Sequence, residues 1–183
     1  GGTGLSGQTV NHAVVVDFSK YMHDVIEINR EEKWVRSQPG ITIDELNRQL
    51  KSSGLFFTPD PSTSSRANIG GAMGNNSCGS HSIIYGKTVD HVLEMDVTLS
   101  DGSQTNFGMR DAAALKSLLT KAGLEGDIYR GVTDISARAA DLVEAKFPKI
   151  LRRVGGYNID RTQSADALNL TQVMVGSEGT LAA

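Results

Sequence analysis

The sequence predicts an α+β fold, and three features of its patterning carry that expectation. Residues 92–99 alternate Val92, Glu94, Asp96 and Thr98 with Leu93, Met95, Val97 and Leu99, the period of a half-buried strand. Asp101-Gly102 then supplies a hairpin turn into a second strand at 104–107. From Asp111 the period becomes helical: Ile128, Val132, Ile135, Leu142, Val143 and Phe147 form an apolar stripe that Pro148 ends. Near the start, only Gln8, Thr9, Val10, Asn11, His12 and Ala13 separate a glycine loop from the strand-like residues 14–18, too few for the crossover helix of a parallel βαβ unit. Antiparallel sheet flanked by helices is the reading that remains.

The other elements follow in order. Val14, Val15, Val16, Asp17 and Phe18 read as a first strand. Residues 25–28 and 34–37 flank the turn-prone Asn29-Arg30-Glu31-Glu32 and predict a hairpin. Thr42 and Glu45 have the spacing of a capping box, Ile43, Leu46 and Leu50 share one helical face, and Gly54 is placed to end that helix. Leu55-Phe56-Phe57 delivers the chain into a polar loop. Beyond Pro148, a short helix is expected near residues 165–168, a strand at 172–175, and a loop at Gly176-Ser177-Glu178-Gly179-Thr180.

Composition narrows the function. The chain has 183 residues, enough for one good core arranged as one or two lobes, and its net charge of −3 gives no broad basic surface for nucleic acid or anionic membranes. There is no bilayer-spanning apolar run and no signal peptide, so a cytoplasmic location, at most peripheral at an inner membrane, is expected. Cys78, the single cysteine, excludes an internal disulfide and cannot by itself hold a four-cysteine zinc or iron–sulfur site. The chain opens inside a glycine loop and closes just after a strand-like run, as an excised piece of a longer polypeptide would.

Three loops share one chemistry. GGTGLSG at residues 1–7 contains a literal G-x-G-x-x-G, but without the helix that gives this fingerprint its mechanism it reads instead as a nest of main-chain N–H groups. Residues 59–79, PDPSTSSRANIGGAMGNNSCG, hold only Ile69 and Met73 as bulky apolar side chains and read as a binding loop that cannot form a core of its own. VGSEGT at 175–180 is the third. Such loops suit a dinucleotide such as FAD, whose pyrophosphate takes backbone donors and whose flat ring takes close main-chain packing.

Five motifs in order, GGTGLSG, PGITIDEL (39–46), PDPSTSSRANIGGAMGNNSCGSHS (59–82), YGKTVDHV (85–92) and VGSEGT, resemble the FAD-binding domain of the vanillyl-alcohol oxidase and para-cresol methylhydroxylase family. Within it, the stretch from Cys78 to Asp90 followed by FPKILRRVGGYNID (147–160) is similar to the flavin-linked D-2-hydroxy-acid dehydrogenases, which act on D-lactate, glycolate or D-2-hydroxyglutarate. The resemblance implies the PCMH-type fold of two subdomains enclosing FAD, with residues 1–58 in a first, incomplete subdomain and 59–183 in a second.

It implies cofactor contacts from Gly1, Gly2, Thr3, Gly4, Leu5, Ser6 and Gly7, from Pro59, Asp60, Pro61 and Ser62, and from Ile69, Gly70 and Gly71. Asn75, Asn76, Ser77, Gly79, His81, Ser82, Gly86, Glu178 and Gly179 complete the set. Thr3 stands where members with covalent flavin carry histidine, so the FAD is expected to be dissociable. The implied function is oxidation of a small D-2-hydroxy acid by hydride transfer to flavin. The base and the carboxylate-binding arginines would lie in a separate substrate domain, and the electron acceptor would be a quinone, cytochrome, oxygen or a fused or separate iron–sulfur module.

Two alternatives stay open: phenol or lactone oxidation or enolpyruvyl-sugar reduction on the same fold, and a flavin-free interaction module. His81 is the one weak catalytic candidate, able to hydrogen-bond a flavin oxygen or simply to order the loop. Cys78 reads as a packed loop residue, and His12, His23 and His91 have no metal-site spacing, so no metal is expected. Glu178 suits a structural or ribose contact, Arg66 a contact with a phosphate or a substrate carboxylate or else solvent, and Lys87 and Asp90 an anchoring role.

Overall fold

The computed structural model describes residues 1–183 except Ser6, Gln8, Asn11, Ala13, Ala165 and Asp166, and the backbone but not the side chains of Gln163 and Ser164. Contacts divide the chain into two compact units, Gly1–Asp90 and His91–Ala183. All paired strands are antiparallel and helices accompany both small sheets, so the α+β character holds.

In the first unit the predicted hairpin forms from β1, Val25–Asn29, and β2, Trp34–Ser37. Its turn is fixed by Asn29, whose side-chain oxygen accepts the Glu32 N–H at 2.9 Å, and by Glu32, whose carboxylate accepts the Trp34 indole N–H at 2.6 Å. Helix α1, Ile43–Leu50, starts where Thr42 accepts the Glu45 N–H at 3.3 Å. Only half of the expected capping box is present: the Glu45 carboxylate accepts instead from Arg48 and Gln49. Gly54 ends the following turn at φ 73°, a conformation that costs glycine little.

The expected strand at 14–18 is absent. Val14, Val15 and Val16 are 92%, 60% and 60% exposed, and no strand pairs with them among the described residues, so the β-branched run has nothing to hold it in a ladder.

The polar loop also differs from expectation, because it borrows a core. Ala67, Ile69 and Ala72 pack with Ile41, Ile43, Leu46 and Leu50 from α1 and its approach. The loop backbone is zipped onto that approach: Ile43 N–H donates to Ala67 O at 3.0 Å, Ile69 N–H to Ile41 O at 2.9 Å, and Gly70 N–H to Pro39 O at 2.8 Å. Thus anchored, residues 69–74 form helix α2, Ile69–Gly74, and α3, Ser82–Tyr85, follows.

In the second unit β3, Glu94–Thr98, pairs with β4, Gln104–Asp111, across the predicted turn, where Gly102 has φ 82°. Asp111 caps α4, Ala112–Thr120, by accepting the Ala114 N–H at 2.8 Å. The helical stretch breaks at Gly123, φ 89°, and resumes as α5, Leu124–Lys146. Ile128, Tyr129 and Val132 of α5 reach a core of Val97, Leu99, Phe107, Leu168 and Leu170, with Phe107 edge-on to Tyr129. Beyond it the predicted stripe is covered unevenly, since Ile135 and Leu142 are exposed whereas Val143 and Phe147 are half-buried.

Two further expectations are corrected. Of the short helix expected near 165–168, residues 167 and 168 lie instead in strand β6, Ala167–Asn169, which pairs with β5, Gln163–Ser164, and adds to β4 in the sheet order β3-β4-β6-β5; Ala165 and Asp166 lie outside the described residues. Residues expected as a strand at 172–175 form helix α6, Thr171–Met174, turned by Asn169, whose side-chain oxygen accepts both the N–H and the hydroxyl of Thr171.

Candidate cofactor site

The loop between α1 and β3 is held from inside by its polar residues. Asn76 is fully buried at φ 48°, a left-handed conformation that asparagine tolerates, and its side-chain oxygen accepts the Val89 N–H at 3.0 Å. Its amide nitrogen is buried with no partner, a donor left for an acceptor the protein does not supply. Thr88 donates its hydroxyl to Ser77 O at 2.7 Å, and Ser82 accepts the Gly79 N–H at 2.9 Å. Asn75 donates to the Ser77 hydroxyl at 3.1 Å. Sequence reading did not single out Thr88; its place just after the Tyr85-Gly86 turn was the available signal.

Asp60 ties the two ends of this loop together. Its carboxylate accepts the His81 N–H at 3.0 Å and the Ser80 hydroxyl at 3.2 Å, and lies 2.6 Å from His81 Nδ1. Partial burial works against ionisation of Asp60, but the His81 N–H, the His81 ring and the Ser80 hydroxyl outweigh it and hold its carboxyl below the usual carboxylate range. Gly79 sits directly on this residue, where an added Cβ would lie 1.8 Å from the Asp60 carbonyl oxygen. Gly86, φ 82°, is closed in the same way by Asp90, which accepts the Lys87 N–H at 2.7 Å.

The first glycine loop touches the same stretch. A Cβ on Gly1 would lie 2.0 Å from Arg66 O, so two of the three glycine-rich loops meet within one unit. Gly2 and Gly7 have φ of 66° and 74° and open space around them, Thr3 is half-buried, and Gly4 and Leu5 are exposed. Ser6 lies outside the described residues.

Of the remaining predicted positions, Pro59 is buried, Pro61 half-buried and Ser62 exposed. Ile69 faces the core, Gly70 presses on Pro39, and Gly71 is open. His81 is exposed, with its ring 6.5 Å from that of Tyr85, which meets Phe56 edge-on at 6.0 Å.

The third loop belongs to the second unit. Gly176, Glu178 and Gly179 have φ of 95°, 53° and 73°, a run of left-handed turns. Asn158, buried, donates to Gln172 O at 3.1 Å and Val175 O at 2.9 Å, and Tyr157 meets the Thr180 hydroxyl at 2.8 Å. The GGYN motif at 155–158 thus serves to clamp VGSEGT.

A family model described as an FAD binding domain matches residues 1–108, which takes in both glycine loops of the first unit and most of the β3-β4 hairpin. The chain belongs to the FAD-binding domain family. FAD is its cofactor. Along 99% of its length this FAD-binding domain is 42% identical to D-2-hydroxyglutarate dehydrogenase of Pseudomonas putida, and along 100% it is 38% identical to the enzyme of that name from Escherichia coli. It is 33% identical to glycolate oxidase subunit GlcD of Bacillus subtilis over 69% of the chain. The chain spans 18% of the length of those two D-2-hydroxyglutarate dehydrogenases and 28% of the glycolate oxidase subunit.

The residues present fit FAD. The orphaned Asn76 amide offers a buried donor, and Gly2 and Gly71 leave main chain open to close approach. No helix among the described residues is long and apolar enough to cross a membrane.

Proposed function

We propose that this FAD-binding domain serves a flavin-dependent dehydrogenase that oxidises a small D-2-hydroxy acid, with D-2-hydroxyglutarate the first substrate to test. The observation that carries this reading is the reach of the likeness. Similarity to the D-2-hydroxyglutarate dehydrogenases runs through α4, α5 and the GGYN clamp to the end of the chain, whereas the glycolate oxidase match covers 69% of it.

On this reading the chain is part of a PCMH-type domain of two subdomains, with residues 1–90 carrying the two N-terminal glycine loops. Residues 1–7 give main-chain N–H groups to the pyrophosphate, and Asn76 and the open face at Gly71 receive the ribityl and ring portion. Binding is non-covalent, since Thr3 cannot form the histidyl bond. When bound, the flavin supplies the two-electron acceptor for hydride from the substrate α-carbon. The residues of this chain orient the cofactor and exclude water from it, while the base that takes the hydroxyl proton lies in a substrate domain. The electron acceptor of the cytoplasmic enzyme would be a quinone, a cytochrome, oxygen or an iron–sulfur module.

Anaerobic mixing of the full-length protein with D-2-hydroxyglutarate, D-lactate, glycolate and the L-enantiomers tests the proposal. Bleaching of the flavin absorption by a D-2-hydroxy acid and not by its enantiomer is expected. A flavin that no hydroxy acid bleaches overturns the substrate class, and a preparation that cannot be loaded with flavin overturns the whole reading in favour of an interaction module.

A further inference from the structure

We propose that Asp60 is a positioning residue for His81, and that His81 so held presents Nε2 to the bound isoalloxazine as a hydrogen-bonding side chain. The inference rests on the flavin reading of these loops.

Three contacts from residues 80–81 converge on one carboxylate: the His81 N–H at 3.0 Å, the Ser80 hydroxyl at 3.2 Å, and His81 Nδ1 at 2.6 Å. A carboxylate on Nδ1 fixes the ring orientation and leaves Nε2 for a ligand; to donate to the reduced ring, Nε2 carries its own proton, so the donating form is the imidazolium ion-paired with Asp60. The imidazole is nevertheless 62% exposed at its side chain, so this fixing is not a by-product of packing in a core. Both partners stand among residues that the family resemblance implies for the cofactor: Asp60 between Pro59 and Pro61, and His81 between Gly79 and Ser82. Gly79 makes the approach possible, because any side chain there would drive into the Asp60 carbonyl. In a site whose loops carry few charged side chains, an oriented imidazole is the group best placed to respond to charge accumulating on the ring as it is reduced.

The test uses the full-length holoprotein and measures the midpoint potential of its FAD, with FAD content as a second readout. His81→Leu should lower the potential, reflecting roughly a tenfold loss of preference for reduced over oxidised FAD, about 30 mV for a two-electron couple. Asp60→Asn should shift it in the same direction, and the double variant should go no lower than His81→Leu alone. His81→Gln, which retains a side-chain donor, should recover part of the shift.

If the variants keep their FAD at an unchanged potential, or lose FAD while the fraction still bound keeps the wild-type potential, His81 and Asp60 only shape the loop and the inference fails. Additive shifts in the double variant would likewise remove the positioning role of Asp60. Each of these results leaves the dehydrogenase reading intact, because substrate bleaching of wild-type protein tests that separately; a wild-type protein that binds no FAD overturns both.

Discussion

Gly79 has room for a hydrogen and nothing larger, since its missing Cβ would fall 1.8 Å from Asp60 O, on backbone that cannot swing aside. Gly71 is the opposite case, exposed in α2 with nothing within 4 Å of where a Cβ would stand. Gly79→Ala should therefore destabilise the chain by about 1–3 kcal/mol through overpacking. Gly71→Ala should stabilise the cofactor-free chain by about 0.5–1 kcal/mol, because alanine loses less backbone freedom in a helix. If α2 turns this open face to the cofactor as proposed, Gly71→Ala should also weaken FAD binding, separating the two effects at one residue. Urea unfolding of the apo forms and FAD titration of the full-length variants would check this, and a stabilised Gly71→Ala that binds FAD as tightly as wild type would remove Gly71 from the site. The sequence shows that glycines cluster here. It does not distinguish a crowded Gly79 from an open Gly71, because the crowding atoms come from Asp60, far along the chain.

Among elements, one carboxylate ties the start of α5 to the sheet. Glu125 accepts from the Thr105 hydroxyl of β4 at 2.7 Å and pairs with Lys121, joining helix to sheet. Burial of this carboxyl opposes its ionisation, but the Lys121 ammonium and the Thr105 hydroxyl outweigh that and set its pKa below the ordinary glutamate value. A lowered folded-state pKa contributes stability that is present above the unfolded value, about 4.3, and is lost as pH falls through the folded one. Glu125→Gln should thus cost about 1 kcal/mol at neutral pH and progressively less below about pH 4.3, so the stability curves of variant and wild type should converge in acid. Urea midpoints measured from pH 7 to about pH 3 decide it; a constant gap would mean that Gln replaces shape rather than charge.

Elements of several periods, such as β3, β4, α1 and α5, were legible from their patterns. Residues 167–169 and 171–174 were not, since three or four residues span too little of a period to separate strand from helix, and the side chain of Asn169 decides the turn between them. Residues 14–18 have the right composition for a strand, but a ladder needs a partner that pattern cannot supply.

For the molecule as a whole, the ordered series of glycine motifs made the cofactor legible before any coordinates, whereas the internal polar lattice behind them, Asn76 to Val89 and Thr88 to Ser77, was not, because it joins residues by burial rather than by pattern. The same series implies an unusual basis for anion binding. The chain has a net charge of −3, residues 1–7 carry no charged side chain, residues 59–79 carry only Asp60 and Arg66, and residues 176–180 carry only Glu178. A dianionic pyrophosphate seated here would be held by main-chain N–H groups rather than by a cluster of cations. Salt screens interactions between exposed charges, with a Debye length of about 10 Å at 0.1 M and about 3 Å at 1 M, and acts far less on short hydrogen bonds from oriented amides. The FAD dissociation constant of the full-length protein, followed by flavin fluorescence quenching on deflavinated material, should therefore rise by no more than about threefold between about 0.1 M and 1 M salt. A protein that holds the pyrophosphate with several lysines or arginines should instead lose affinity steeply over the same range. Weakening of tenfold or more would show that cationic side chains outside these loops carry the phosphates, and would demote the N-terminal glycines from ligands to turn formers.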